Sequence, residues 1–190
     1  MSEAPKKEQI IDIKASVKAI IESIDQERER EIIKRRFGLY ERKETLEQIG
    51  ELLGITRERV RQLEKAILIR IKMVAERGEL PDVTSCEKVI IRTLSDMGRV
   101  AKLHELTDKL LGKKSNSRER AHIAFIAELS PNLTVINETD NYENGVAIAE
   151  YGDEKKIKKQ IEEIIKTTNQ NAMVKIKPSK RLKGITIVNK

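Results

Sequence analysis

Two helix-start signals, at Thr45 and Thr56, stand eleven residues apart with Gly54 between them. Each is a Thr, a residue whose hydroxyl can accept from the free amides of a helix's first turn. Thr45 is followed three positions on by Gln48, which makes a capping box. The helix it opens is short, with Leu46, Ile49, Leu52 and Leu53 as its apolar positions. Glycine tolerates the left-handed backbone that ends a helix, so Gly54 closes it. Thr56 then opens a longer helix carrying Val60, Leu63, Ile67, Ile71 and Val74, which runs to about Arg77 before Gly78. Short helix, tight turn, longer helix is helix-turn-helix order.

The second helix begins Thr56-Arg57-Glu58-Arg59-Val60-Arg61-Gln62. With Val60 and Leu63 turned inward, Arg57, Glu58, Arg61 and Gln62 project outward near its N-terminus. A recognition helix meets base edges in the major groove at that end. Arg can donate twice to guanine, Gln can pair with adenine, and Glu can accept from cytosine. The helix starts at Thr45 and Thr56 also present free amides to phosphates. Charged residues on a helix face are often merely solvated, but the capping box, turn glycine and inward apolar set favour DNA binding here.

Upstream, Ile10, Ile13, Val17, Ile20 and Ile24 fall on one helix face, and Ile32, Ile33 and Phe37 on another that Gly38 ends. Downstream, Glu79-Leu80-Pro81-Asp82 reads as a turn or linker, and we place the domain boundary there. Val89, Ile90, Leu94 and Met97 then predict one helix, and Val100, Leu103, Leu106, Leu110 and Leu111 a second. Ala121, Ile123, Ala124, Phe125 and Leu129 predict a third, closed by Ser130-Pro131. The period changes at Leu133–Ile136 and again at Val146–Ile148, two β-prone pieces around a polar loop. Three helices and a hairpin are the order of a winged helix. Lys155 to Ile165 predicts a basic helix, and two β-prone pieces follow, Met173–Ile176 and Ile185–Val188. The expected fold is mainly α: a helix-turn-helix domain over 1–78, a winged helix with a small β-hairpin over 83–152, and a basic α/β tail over 153–190.

RFGL at 36–39, TLEQIGELLGITRERVRQLE at 45–64 and the following Ala66 resemble the fourth conserved region of bacterial RNA polymerase sigma factors of the primary type. The resemblance covers about residues 15–75. It implies binding to the −35 promoter element, in double-stranded DNA, and to the core polymerase through the β flap. Arg57, Glu58, Arg61 and Gln62 would face bases. Arg28, Arg36 and Thr45, with Thr56, Arg59 and Lys65, would contact phosphates. The apolar groove between the early helices would hold the flap-tip helix. The family usually keeps a basic residue where Ile69 stands and often a lysine where Ala66 stands. Residues 83–152 resemble, through GRVAKLHELTDKLL and the element order, the HARE-type winged helix, a module found in the polymerase delta subunit and in some restriction and chromatin proteins. Its third helix would offer Ser117, Arg118, Arg120 and His122 to DNA, with Lys113 and Lys114 on phosphates. The hairpin carboxylates Glu138, Asp140 and Glu143 repel a phosphate backbone and favour a protein contact instead.

Charge and composition narrow the function classes. Residues 1–80 carry 18 basic and 16 acidic residues, 81–150 carry 9 and 11, and 151–190 carry 11 and 4, for +2, −2 and +7. The basic excess therefore sits in the tail, where it can add non-specific affinity through counterion release. The tail lysines equally suit a helix that is merely kept soluble. Five aromatics and no Trp are too few for the base-stacking surface that promoter melting needs. One cysteine, Cys86, permits no internal disulfide, and Cys86, His104 and His122 have no zinc-finger spacing. No phosphate loop or nucleophile elbow is present. The expectation is a soluble protein of the bacterial cytoplasm, at the nucleoid, with no enzymatic activity, metal or cofactor. The other reading is a polymerase-binding protein, a flap binder or sigma competitor, with little DNA specificity.

Overall fold

A computed structural model of the chain describes residues 12–138 and 143–170. The expectations for Ile10, Asp140, the two tail strands and the cations from Lys175 to Lys183 lie outside those residues. Helices dominate: α1 (Ile13–Glu22), α2 (Glu27–Phe37), α3 (Leu46–Leu53), α4 (Arg57–Glu76), α5 (Pro81–Asp96), α6 (Leu103–Leu111), α7 (Ser117–Leu129) and α8 (Glu154–Gln170). Three short strands, β1 (Val100–Lys102), β2 (Leu133–Ile136) and β3 (Gly145–Ile148), form one antiparallel sheet in the order β1-β3-β2. The fold class is the expected one, mainly helical with a helix-turn-helix and a winged-helix order of elements.

The local signals act as their chemistry requires. Thr45 Oγ1 accepts from the Gln48 amide at 3.2 Å, and the Gln48 side chain accepts from the Thr45 amide at 2.9 Å. Gly54 closes α3 in the left-handed conformation. Thr56 Oγ1 accepts from the Arg59 amide and opens α4. Asn116 and Glu119 make a second reciprocal box at the start of α7.

Two local expectations are corrected. Glu79-Leu80-Pro81-Asp82 is not a linker throughout: Leu80 is the N-cap of α5 and Pro81 its first residue. Proline suits that place because a helix's first amide has no intrahelical partner. Val100 does not open the second helix. Val100–Lys102 pairs with β3, Val100 opposite Ala147 and Lys102 opposite Gly145, and α6 starts only at Leu103. Three residues carry no period of their own, and the partner strand lies over forty positions away.

The core decides how the parts meet. One apolar cluster runs from Val17, Ile20 and Ile21 on α1, through Ile33, Leu39, Ile67 and Ile71, to Leu94, Leu106, Ile123, Phe125, Leu129 and Val146. The α1 face thus packs on α5 and α7. A smaller cluster of Ile32, Ile49 and Val60 joins α2, α3 and α4. A third, Ile136, Ala147 and Ile157, seats α8 against the sheet.

Candidate nucleic-acid interface

The helix-turn-helix rests on backbone proximity. Gly50 of α3 lies so close to the start of the next element that a Cβ there would sit 2.6 Å from the Ile55 carbonyl oxygen. Ile49 and Val60 are fully buried behind it. With Val60 and Ile67 inward, Arg57, Glu58, Arg61 and Gln62 are all exposed on the first turns of α4, the face the sequence predicts.

These four do not stand apart. Arg61 grips Glu58 with two hydrogen bonds, Nε to Oε2 at 2.8 Å and Nη2 to Oε1 at 2.7 Å. Gln62 Nε2 donates to the same carboxylate at 3.3 Å. Arg57 pairs with Glu47 in the first turn of α3, 2.8 Å apart. The hydrogen bond from Arg61 is the main force that draws the Glu58 carboxyl down to about 2, so it is a carboxylate at any physiological pH. The surface is therefore a linked set of donors and acceptors. Each can exchange its intramolecular partner for a base edge.

The residues expected on phosphates divide. Thr45, Thr56, Arg59 and Lys65 are exposed. Arg28 is exposed and spends Nη2 on the Leu53 carbonyl at the end of α3, 2.9 Å away. Arg36 is half-buried with Nε 3.1 Å from Glu64 of α4. These two arginines tie α2 to the turn and to α4. Ala66 and Ile69 are exposed, and Ile69 and Met73, one turn apart, are 48% and 54% accessible.

The winged-helix residues divide as well. Ser117 and Arg118 are exposed at the start of α7. Arg120 reaches back to the Ser115 carbonyl at 3.2 Å. His122 is 5% exposed and its Nε2 lies 2.8 Å from the Leu39 carbonyl oxygen, between α2 and α3. Its ring is spent on the core. Burial is the larger influence and pushes the His122 imidazole below its usual range, against the support of the Leu39 carbonyl. Phe125 packs edge-on to Phe37, ring centres 5.0 Å apart, and Lys72 pairs with Glu128 at 2.6 Å. The middle of α7 is thus turned toward α1, α2 and α4. Of the wing carboxylates, Glu143 is paired with Lys102 at 3.3 Å, and Glu138 accepts from Asn144. This bracing by α7 escaped sequence reasoning, although the near-absence of a polar face over Ala121–Leu129 is its trace. No helix among the described residues is long and apolar enough to cross a membrane.

Comparison with known proteins bears on part of the chain. Residues 26–72 match the family model "Sigma-70, region 4". The RNA polymerase sigma factor RpoD of Helicobacter pylori is 41% identical over 63 residues, 32% of this chain and 9% of the relative. RpoS of Coxiella burnetii is 39% identical over 69 residues, 36% of this chain and 19% of the relative. SigA of a Bacillus species is 40% identical over 57 residues, 30% and 15%. The chain thus spans about a tenth to a fifth of these relatives' length, and no solved structure matches it. In its sequence, the segment over residues 26–72 is similar to region 4 of the sigma-70 factors.

Proposed function

We propose that the chain is a DNA-binding transcription factor whose α3–turn–α4 unit reads duplex DNA through the major groove, as a −35 promoter element is read. One observation carries the reading: Arg57, Glu58, Arg61 and Gln62 are exposed together on the first turns of α4, inside the segment that matches sigma-70 region 4. Those four are the base contacts. Thr45 and Thr56 bring helix amides to phosphates, and Arg59 and Lys65 add charge. Arg28 and Arg36 hold the turn that presents them. The relatives' names support RNA polymerase as the protein partner. Promoter melting is no part of the reading, and the chain acts by binding and recruitment rather than by covalent chemistry.

Contact with the β flap through the early helices meets an obstacle, because α5 and α7 cover the apolar face of α1. Flap binding therefore needs another face or the release of α7. The winged helix serves in this reading as a brace and a protein contact, with Ser117 and Arg118 the groups left for DNA. The second reading, polymerase binding with little DNA specificity, draws on one feature: Glu47 and Glu58 hold Arg57 and Arg61 and oppose phosphates.

Fluorescence anisotropy decides between them, with a −35-type duplex and a scrambled duplex across a salt series. A good bidentate contact discriminates by about 1–3 kcal/mol. The native protein should therefore prefer the promoter duplex by about tenfold or more, and Arg61→Ala with Gln62→Ala should lose the preference. Equal affinity for both duplexes, with a salt slope the variant leaves unchanged, would move the polymerase-binding reading ahead.

A further inference from the structure

We propose that Lys14, Arg42, Lys43 and Arg118 form one phosphate-binding surface for duplex DNA that crosses from the helix-turn-helix segment onto the winged helix; it extends the reading of α4 as a DNA reader and rests on it. The joint between α7 and the loop after α2 builds the surface. His122 is held at the Leu39 carbonyl, and Arg118 lies one turn earlier on the same helix, exposed. Lys14 on α1 is also exposed and, like Arg118, within Coulombic reach of that ring. Leu39 starts the loop into α3. The loop doubles back so tightly that a Cβ on Gly38 would sit 2.8 Å from the Lys43 nitrogen. Lys43 and its neighbour Arg42, both exposed, thus lie beside the anchor of α7.

The charge balance favours an anion. Among the described residues none of the four cations is in an ion pair. The carboxylates around them are committed: Glu44 to Arg35 and Glu119 to Lys113. Glu41, next to Arg42, lines a hollow with Lys34, Arg35 and Tyr40. The surface also continues into the α4 site. Lys43 stands two residues before Thr45, and Glu47 in the same first turn pairs with Arg57 of α4. Cations therefore run from the start of α4, past the start of α3, to the start of α7. A row of exposed cations on separate elements matches the repeated charges of a duplex backbone, whereas a free phosphate needs convergent donors. A single strand needs exposed rings to stack on, and here Tyr40 is already beneath Lys34.

The test uses the full chain and reads the slope of log affinity against log salt on promoter and scrambled duplexes. Each phosphate neutralised contributes about 0.9 to that slope. Lys14→Gln with Arg118→Gln should reduce it by about 2 and weaken both duplexes by the same factor, and Arg42→Gln with Lys43→Gln should do likewise. A control pair, Lys88→Gln with Arg92→Gln on α5, should leave the slope unchanged. An unaltered slope in the first two variants would overturn the surface even if the native protein prefers the promoter duplex. So would an equal loss in the control pair, because the charge effect would then be diffuse. A slope reduced as expected in a protein without duplex preference would keep the surface and sink the base reading of α4 alone.

Discussion

Glu58 governs the electrostatics of the first turns of α4. It takes both hydrogen bonds of Arg61 and one from Gln62, so two groups suited to base edges share one carboxylate. Removing that charge should free Arg61 and lessen repulsion from the backbone. Glu58→Gln is therefore expected to strengthen binding to scrambled duplex and to narrow the preference for promoter duplex, read by anisotropy with both. Because Arg61 draws the carboxyl down to about 2, binding should show no change between pH 5 and 8 that Glu58→Gln abolishes. Gly50 governs the steric side. A methyl there meets a backbone oxygen rather than a pliable side chain, so Gly50→Ala should cost about 1–3 kcal/mol in urea unfolding. At Gly54 the added methyl meets open space, and only the left-handed backbone, about 1–2 kcal/mol, opposes it. The exposure of Arg57, Glu58, Arg61 and Gln62 was legible in the sequence, because helical period places them once Val60 is inside. Their mutual pairing was not, because rotamers answer to neighbours on two helices.

At the scale of elements, caps were legible and partners were not. Thr45, Gly54 and Thr56 act within one turn, so residue type alone announces α3 and α4. Thr45→Ala should cost about 1 kcal/mol and strand Gln48, visible as a lower urea midpoint with an unchanged slope. β1 was invisible because its identity comes from β3. His122 sits deeper than its helix neighbours suggest for the same reason. A histidine on a helix next to Arg118 and Arg120 suggests a DNA contact, and only the packing of α7 buries it against the Leu39 carbonyl. That burial carries a pH signature. The groups facing the ring are Lys14 from α1 and Arg118 and Glu119 from α7. Burial lowers the folded pKa beneath the unfolded value of about 6.5, so the unfolded chain binds the proton more readily. The stabilising effect is present above about pH 6.5 and is lost as pH falls toward the folded value. His122→Gln should flatten the fall in stability between pH 7 and 5, measured by urea unfolding at each pH. An unchanged fall would assign it to other groups.

At the scale of the whole molecule, α7 is the keystone. In a winged helix the third helix is the usual DNA reader, yet here its middle is turned into the early helices, with Phe125 against Phe37. Phe125→Ala should cost about 3–5 kcal/mol and, because one apolar cluster spans both parts, should lower a single melting transition. Calorimetry that resolved two transitions, with only one shifted, would show that the parts unfold separately. The helix-turn-helix, its caps, the outward face of α4 and the order of helices and hairpin followed from the sequence alone. Each rests on interactions within a few residues, where chain entropy is low and local chemistry decides. Tertiary structure alone decided the pairing of β1, the burial of His122, and the closure of the α1 face by α5 and α7. It also set Lys14 of α1 beside the His122 ring, with Arg118, where the proposed phosphate surface begins. These are matters of which apolar faces bury each other across long sequence separations, and composition specifies that such faces exist without specifying their partners.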